Sequence, residues 1–313
     1  YVLSIPFFKK DKLEYGKFFI RRIFRIYGPY LVTLGLGYLG LSIFIYSDTK
    51  GFSDWFNKIW SEPVSGAEWV RLLSMGQATY HNLVTSLWTL PIEVKISLAL
   101  PFIILMLKRM NVAGCFLVLF GSAALYYTGR FLGLENSYPG FNVLYYLPFF
   151  VMGSIAYRYR HNCVQLINRL DKKWILAGSF AAILLYTFKW NQVLFPGQLK
   201  SYAARLPTDY LAAIAAVFFI LLSISQKAPR FLENKYLIHL GRISFSLYLI
   251  HPVVMGVLGH LIGTALPFPV LILIIIITSL ALSVPFFNLI EQPLQLLGRR
   301  LSDRLESKPM EGN

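Results

Sequence analysis

A carboxylate and an ammonium group lie inside an apolar segment that is long enough to cross a lipid bilayer. Glu93 and Lys95 interrupt the apolar run from Ser86 to Leu107. An ionised group near the bilayer centre costs at least about 2.5 kcal/mol, so such groups persist mainly where they face a protein-lined or water-filled cavity. We therefore expect Glu93 to lie in a functional site and not on a lipid-facing surface.

Two arginines precede another apolar run. Arg22 and Arg25 are three residues apart, so on a helix they lie on the same side and suit a phosphate-bearing ligand that arrives from the cytosol. The alternative is that these arginines set the orientation of the helix by interacting with lipid headgroups. The spacing alone leaves both interpretations open.

An imidazole lies inside a third apolar run, at His251. A titratable ring near a buried carboxylate is what proton transfer needs, and Glu93 is a candidate for that carboxylate. The alternative is a histidine that only hydrogen-bonds a neighbouring helix. The sequence leaves open whether the two side chains meet.

Composition indicates that membrane-spanning helices carry these residues. Hydrophobic residues make up 56% of the chain and charged residues only 14%, a balance far more apolar than that of ordinary soluble domains. A transmembrane helix needs roughly 20 apolar residues. The runs that approach this length lie at about 24–46, 86–107, 112–128, 142–157, 174–190, 209–225, 243–265 and 267–290. We expect an all-α, polytopic integral membrane protein with these eight complete transmembrane helices and, at the start, the end of one more. Residues 1–313 then form a single transmembrane domain.

The distribution of basic residues predicts an orientation in the membrane. Most of the 30 lysines and arginines lie in alternate loop segments, at 9–25, 108–109, 158–173, 226–242 and 291–313. By the positive-inside rule these segments face the cytoplasm, so the loop from Ser47 to Thr85 faces outward. The net charge of +15 does not indicate a nucleic-acid partner, because the basic residues form separate clusters and no nucleic-acid-binding module is recognisable. Nor do we expect a bound metal, since no HExxH spacing is found.

Four ordered segments of the chain resemble the family-3 membrane acyltransferases. They read RRIFRIYGPY at 21–30, SLWTLPIEVKISLALP at 86–101, ISFSLYLIHPV at 243–253 and NLIEQP at 288–293. Family members carry an RxxR before a helix, then SLWxLxxE, SxxLYLxH and a closing IExP. The resemblance implies an enzyme that spans the inner (cytoplasmic) membrane of the cell several times. Such an enzyme transfers an acyl group, commonly acetyl, from cytoplasmic acyl-CoA to a hydroxyl of an extracytoplasmic polysaccharide or glycoside, without a permanently bound cofactor.

The same resemblance implies roles for individual residues. Glu93 and His251 are the expected catalytic residues of this chain. The residues expected to bind substrates are Arg22 and Arg25 at the acyl-CoA phosphates, Ser86, Trp88 and Tyr248 in the cavity, and His81 on the side where the acceptor arrives. We expect Glu291 to be structural and paired with a loop arginine, and Pro91 and Pro101 to break or kink the Glu93 helix.

The family places its main catalytic histidine in a first transmembrane helix. This chain opens on the apolar stretch from Tyr1 to Phe8, which resembles the end of the second helix, with Ile5 where the family usually has glycine. We therefore expect an amino-terminally truncated fragment that is inactive without the missing helix.

Two other classes of protein remain as alternatives. A proton-coupled transporter or flippase of a lipid-linked glycan would use Glu93 and His251 for proton coupling and the arginines for a pyrophosphate headgroup. A non-catalytic membrane scaffold would predict that Glu93→Gln and Arg25→Ala leave glycan acylation unchanged. The sequence leaves the acceptor, the acyl group and the oligomeric state open.

Overall fold

The described part of the chain is helical. The computed structural model describes residues 1–9, 14–45, 51–76, 82–138, 140–188 and 202–304, and no strand occurs in these ranges. The α-helices, numbered in chain order, are α1 (Ile5–Lys9), α2 (Tyr15–Phe44), α3 (Asp54–Asn57), α4 (Gly66–Leu73), α5 (Leu90–Arg109), α6 (Val112–Phe131), α7 (Leu134–Ser137), α8 (Asn142–Arg158), α9 (Arg160–Arg169), α10 (Lys172–Thr187), α11 (Tyr202–Ser223), α12 (Lys235–Ile262), α13 (Phe268–Phe286) and α14 (Gln292–Arg304). Short helical turns of other types join some of these helices. They are 3₁₀ turns at Val2–Ser4, Thr85–Thr89 and Arg230–Glu233, and a π turn at Phe287–Glu291. The predicted all-α class is confirmed.

Each of the eight predicted runs coincides with a helix, and these are α2, α5, α6, α8, α10, α11, α12 and α13. Within the described ranges, five helical segments are long and apolar enough to cross a membrane. They are Tyr15–Phe44, Thr85–Arg109, Val112–Phe131, Lys235–Ile262 and Phe268–Arg304. The helices α8 and α10 have 17 and 16 residues, so the count of eight complete spans stays a prediction.

The prolines of α5 do not end the helix. Pro91 lies in its first turn, where the missing N–H has no intrahelical partner to lose. The helix also continues through Pro101 to Arg109, although the carbonyl of Ser97 loses its usual N–H donor there. The helix is therefore not broken at either proline, and a kink there stays a prediction.

The chain forms two compact units. The first comprises residues 1–12, 99–132 and 144–238. Its helices α9, α10 and α11 pack through a small apolar cluster that includes Ile167, Ile175 and Leu221. The buried hydroxyl of Ser4 also donates to Ser154 of α8 at 2.9 Å.

The second unit comprises residues 13–98, 133–143 and 239–313. It contains α2, the first half of α5, most of α12, and α13 and α14. Its apolar core includes Tyr30 and Leu34 of α2 and Leu249 of α12. Every described residue of the predicted site lies in this unit.

The segment between α3 and α4 packs onto the long helices of the second unit. Trp60 is 1% exposed and has a left-handed backbone with φ of 59°, which is uncommon for a non-glycine residue. Its indole N–H donates to the carbonyl of Leu83 at 2.9 Å. Its ring lies against Gly40 of α2 and Gly256 of α12, where a Cβ atom would overlap it. The part of the predicted outer loop around Trp60 is thus packed within this unit.

Candidate active site

A buried arginine joins α2 to α5. The side chain of Arg22 is 5% exposed, and its Nη2 donates to Glu93 Oε1 at 2.5 Å. Its Nε donates to the hydroxyl of Ser97 at 3.0 Å, one turn after Glu93. Ser97 in turn donates to the carbonyl of Val94 at 2.8 Å. Arg22 and Glu93 therefore compensate each other's charge inside an apolar pair of helices.

The first turn of α5 also favours a negative charge at Glu93. The peptide dipoles of a helix give its start a partial positive charge, and Glu93 lies in the first turn of α5. Its side chain is 38% exposed, whereas that of Arg22 is almost enclosed. The carboxylate is thus held by Arg22 on one side and remains accessible on another.

The two arginines of the RxxR pair have different surroundings. Arg22 is buried and uses two of its nitrogens on α5, while Arg25 is exposed. Positions three apart on a helix differ by about 60° around the axis, so the edge of the buried face falls between them. Of the two, Arg25 has the geometry to meet a ligand from solvent.

The 3₁₀ turn Thr85–Thr89 holds the hydroxyl of Tyr248 from α12. This hydroxyl donates to the carbonyl of Ser86 and also pairs with the hydroxyl of Thr89. A phenol has a single proton and a carbonyl only accepts, so Thr89 is the donor to the Tyr248 oxygen. Tyr248 is therefore fixed in position by both partners.

The Ser86 hydroxyl is a buried polar group with an unused hydrogen bond. Ser86 is 7% exposed, and its Oγ atom has no hydrogen-bond partner among the described residues. A buried polar atom without a partner costs about 1–3 kcal/mol. An oxygen atom of a ligand that accepted this proton would remove that cost.

His251 lies on α12 next to Tyr248, with 6.1 Å between the ring centroids. Its Nδ1 is 3.1 Å from the carbonyl of Leu247. Since that carbonyl only accepts, Nδ1 carries the proton, and Nε2 of the neutral ring is the atom that can accept one. The ring is half-buried, so Nε2 is suited to take a proton from a bound hydroxyl.

A second carboxylate is buried at the end of α13. Glu291 is 2% exposed, accepts a hydrogen bond from Ser246 of α12, and accepts another from Gln295 Nε2 at 2.8 Å. It lies in the π turn Phe287–Glu291, and the hydrogen bond from Ser246 connects it to α12. The positive charge of Arg25 of α2 acts on Glu291, although the two groups form no direct ion pair within the described ranges. The expected arginine partner is therefore on a helix and not in a loop.

The structure brings the predicted residues together in two groups. Arg22 meets Glu93, while Ser86 and His251 both flank Tyr248. The first group influences the second, because the charge of Glu93 acts on Tyr248. No hydrogen bond links Glu93 to His251 within the described ranges.

The remaining predicted residues contribute less to this geometry. Trp88 is half-buried on the 3₁₀ turn. Lys95 points away from the pair and donates to the carbonyl of Gly76. His81 lies outside the described residues. The binding and catalytic roles assigned to the site residues stay predictions.

Four polar partners were missed from the sequence, and two of them had a signal. Gln295 lies four residues after Glu291. Ser97 lies four residues after Glu93, which places both on one face of a helix. Thr89 and Ser246 had no such signal, because their partners belong to distant helices.

An all-helical unit with polar side chains buried between long apolar helices defines a polytopic membrane protein. A comparison with protein-family models adds the class of reaction. The model of the acyltransferase domain matches residues 1–288, so the chain belongs to the acyltransferase 3 family and is a membrane acyltransferase. No curated protein and no solved structure matches the chain.

Proposed function

We propose that this acyltransferase moves an acyl group, acetyl in the simplest case, from cytoplasmic acyl-CoA to a hydroxyl of an extracytoplasmic polysaccharide or glycoside. The observation that carries the proposal is that a proton acceptor, His251, and an unused hydroxyl donor, Ser86, both flank Tyr248 within apolar helices. Acyl transfer to a hydroxyl needs both kinds of group.

The acceptor hydroxyl binds beside His251. Nε2 takes its proton as the hydroxyl oxygen attacks the thioester carbonyl, while Leu247 keeps the ring oriented through Nδ1. The tetrahedral oxyanion accepts a hydrogen bond from the Ser86 hydroxyl. The thiolate of CoA then leaves and takes up the proton, which gives the ester and free CoA.

The arginines separate charge along α2. The exposed Arg25 contacts the phosphates of acyl-CoA at the basic face of the membrane. The enclosed Arg22 compensates Glu93 and ties α2 to α5. This division keeps the charged part of the donor outside the bilayer while its thioester end reaches inward.

The test is transfer of radioactive label from acetyl-CoA to surface glycan, in membranes that carry the full-length protein. Arg25→Ala should raise the KM for acetyl-CoA at least tenfold, since a phosphate contact is lost. Arg169→Ala is the matched control, because it removes one exposed positive charge from another predicted cytoplasmic segment. Equal KM values for the two variants would reject the role of Arg25. The absence of label with every acyl-CoA, despite correct insertion, would favour a flippase of a lipid-linked glycan.

A further inference from the structure

Helix α14 packs along the first half of α2, and the two helices run in opposite directions. A Cβ atom on Gly28 would meet the side chain of Leu294, and one on Gly298 would come within 2.7 Å of the Cβ atom of Phe24. Residue numbers therefore rise along α14 as they fall along α2. The glycines let the two helices approach closely, within the range of about 8–10 Å that is usual between the axes of packed helices.

The ion pair of Arg21 and Asp303 shows which sides of the two helices adjoin. Arg21 donates to Asp303 at 2.7 Å and to the hydroxyl of Ser302 at 2.7 Å. Arg25 follows Arg21 by four residues on α2. On α14, Arg299 precedes Asp303 by the same interval. Residues four apart share a side of a helix and the helices are antiparallel, so Arg25 and Arg299 lie on the side of the ion pair and at about the same level. We call this side the α2–α14 edge.

The guanidinium groups of Arg25 and Arg299 are available to a ligand. Both residues are exposed, and neither side chain forms a hydrogen bond or a direct ion pair within the described ranges. The carboxylates of Glu291 and Asp303 already accept hydrogen bonds from other side chains, although the charge of Arg25 acts on Glu291. Two like charges that helix packing brings to one level repel each other, and an anion bound between them would remove this repulsion.

The α2–α14 edge belongs to the part of the chain that should face the cytoplasm. The start of α2 and the whole of α14 lie in two of the basic segments, 9–25 and 291–313. Arg299 lies outside residues 1–288, to which the acyltransferase domain matches. The family motifs therefore do not assign a role to Arg299.

We propose that Arg25 and Arg299 together bind the diphosphate group of acyl-CoA at the α2–α14 edge, so that α14 supplies a second donor-binding residue. A guanidinium group forms paired hydrogen bonds with phosphate oxygens, and two such groups on neighbouring helices match the two phosphates of a diphosphate. This inference rests on the acyl transfer proposed above and specifies how the donor is held. The headgroup of an anionic lipid offers the same phosphate chemistry, so the experiment has to separate the two sources.

Binding of CoA to the full-length protein in phosphatidylcholine nanodiscs tests the site without any transfer. Arg299→Ala and Arg25→Ala should each raise the Kd for CoA at least tenfold, because each removes a phosphate contact. Arg300→Ala is the matched control. Arg300 is equally exposed, but it lies about 200° around α14 from Gly298 and so faces away from α2. Its removal should leave the Kd within about threefold of the wild type. Equal Kd values for the Arg299 and Arg300 variants would overturn the proposal.

Nanodiscs that contain phosphatidylglycerol test the lipid headgroup as the occupant. The phosphatidylglycerol retained by the protein is measured by native mass spectrometry, and it should be the same for Arg299→Ala and Arg300→Ala. A selective loss of phosphatidylglycerol from Arg299→Ala, with the binding of CoA unchanged, would show a lipid site and would overturn the proposal.

Transfer from acetyl-CoA and from acetyl-pantetheine, which lacks the phosphates, separates this inference from the proposed function. The wild type should prefer acetyl-CoA in kcat/KM, and Arg299→Ala should lower this preference at least tenfold through the KM for acetyl-CoA. Arg300→Ala should keep the preference. The same preference in both variants, with acetyl transfer intact, would reject the inference and leave the acyltransferase function standing. No transfer from either donor by the wild type would reject the proposed function itself.

Discussion

At the scale of single residues, the pair Arg22 and Glu93 explains how a charged helix start is tolerated among apolar helices. Each side chain removes the cost of the other, and Ser97 occupies a further donor of the guanidinium. Removing one partner from a buried pair leaves the other charge uncompensated, and this lowers the free energy of unfolding more than removing both partners does. The pair should therefore show strong energetic coupling.

A double-mutant cycle measures this coupling. Arg22→Ala and Glu93→Ala should each lower the free energy of unfolding by about 2 kcal/mol, as is usual for hydrogen bonds to charged groups. The double variant should lose clearly less than the sum of the two. The measurement is denaturant or thermal unfolding of the purified protein in detergent.

The exposed pair of Arg21 and Asp303 is the control for this cycle. Its atoms are 2.7 Å apart, but its side chains are 48% and 62% exposed. Exposed ion pairs contribute only about 0.2–1 kcal/mol, so the same cycle there should give little coupling. Additive losses at Arg22 and Glu93 would contradict a buried, mutually compensating pair.

The proton-accepting role of His251 has an isosteric test. Asparagine places an amide nitrogen where Nδ1 lies and can keep the hydrogen bond to Leu247, but it offers nothing in place of Nε2. His251→Asn should therefore stay folded and lose about 10²-fold or more in kcat, the usual contribution of a general base. Single-turnover acyl transfer is the measurement.

His260 is the matched control on the same helix. Its Nδ1 lies 2.7 Å from the carbonyl of Gly256, and its ring packs against Phe44, Phe56 and Trp60. His260→Asn should lower stability through lost ring packing and leave kcat within about threefold, since no catalytic step uses this ring. Full activity of His251→Asn would show that its role is only to orient the helix.

The residues of the site were found from the sequence more readily than their partners. Charge inside an apolar run identified Glu93 as unusual, because a lone charge there is costly. The sequence did not show that Arg22 would be buried against it while Arg25 stays exposed, because this depends on how α2 is rotated against α5. Spacing fixes which residues share a side of a helix, but not which side faces a neighbour.

At the scale of elements, the fit of Trp60 between two helices is the most restrictive contact. Gly40→Ala should destabilise the protein by about 1–3 kcal/mol, because the added methyl group overlaps the Trp60 ring in a core that has no space to yield. Gly35→Ala on the same helix meets no atom within 4 Å and should stabilise by about 0.5–1 kcal/mol, through helix propensity. The measurement is thermal unfolding of both variants. Similar melting temperatures would show that Trp60 does not pack against Gly40 as described.

The long helices could be predicted from apolar run length, since every predicted run is a helix. The π turn at Phe287–Glu291 could not, because it arises from one residue too many for a regular helix and has no composition of its own. The same holds for Trp60, whose left-handed backbone is held by contacts with residues far away in sequence.

At the scale of the whole molecule, the charge distribution predicts the side of the membrane on which each loop lies. In a background without Cys115 and Cys163, Glu62→Cys should react with a membrane-impermeant maleimide in intact cells. Arg169→Cys should react only after the membrane is opened, because it lies in a basic segment that should face the cytoplasm. Both positions are exposed in the structure, so access to the side chain does not limit either reaction. The reverse pattern of labelling would invert the predicted orientation of the protein in the membrane.

The position of Trp60 also constrains how the protein is made. Its ring needs Gly40, which is synthesised before it, and Gly256, which is synthesised long after it. At 5–20 residues per second, about 10 to 40 s pass between the synthesis of the two glycines. During this time the Trp60 ring can pack against Gly40 but not yet against Gly256. During that interval the segment has to be shielded by the insertion machinery or by lipid. Biogenesis of this protein is therefore expected to be most vulnerable between the emergence of α2 and the emergence of α12.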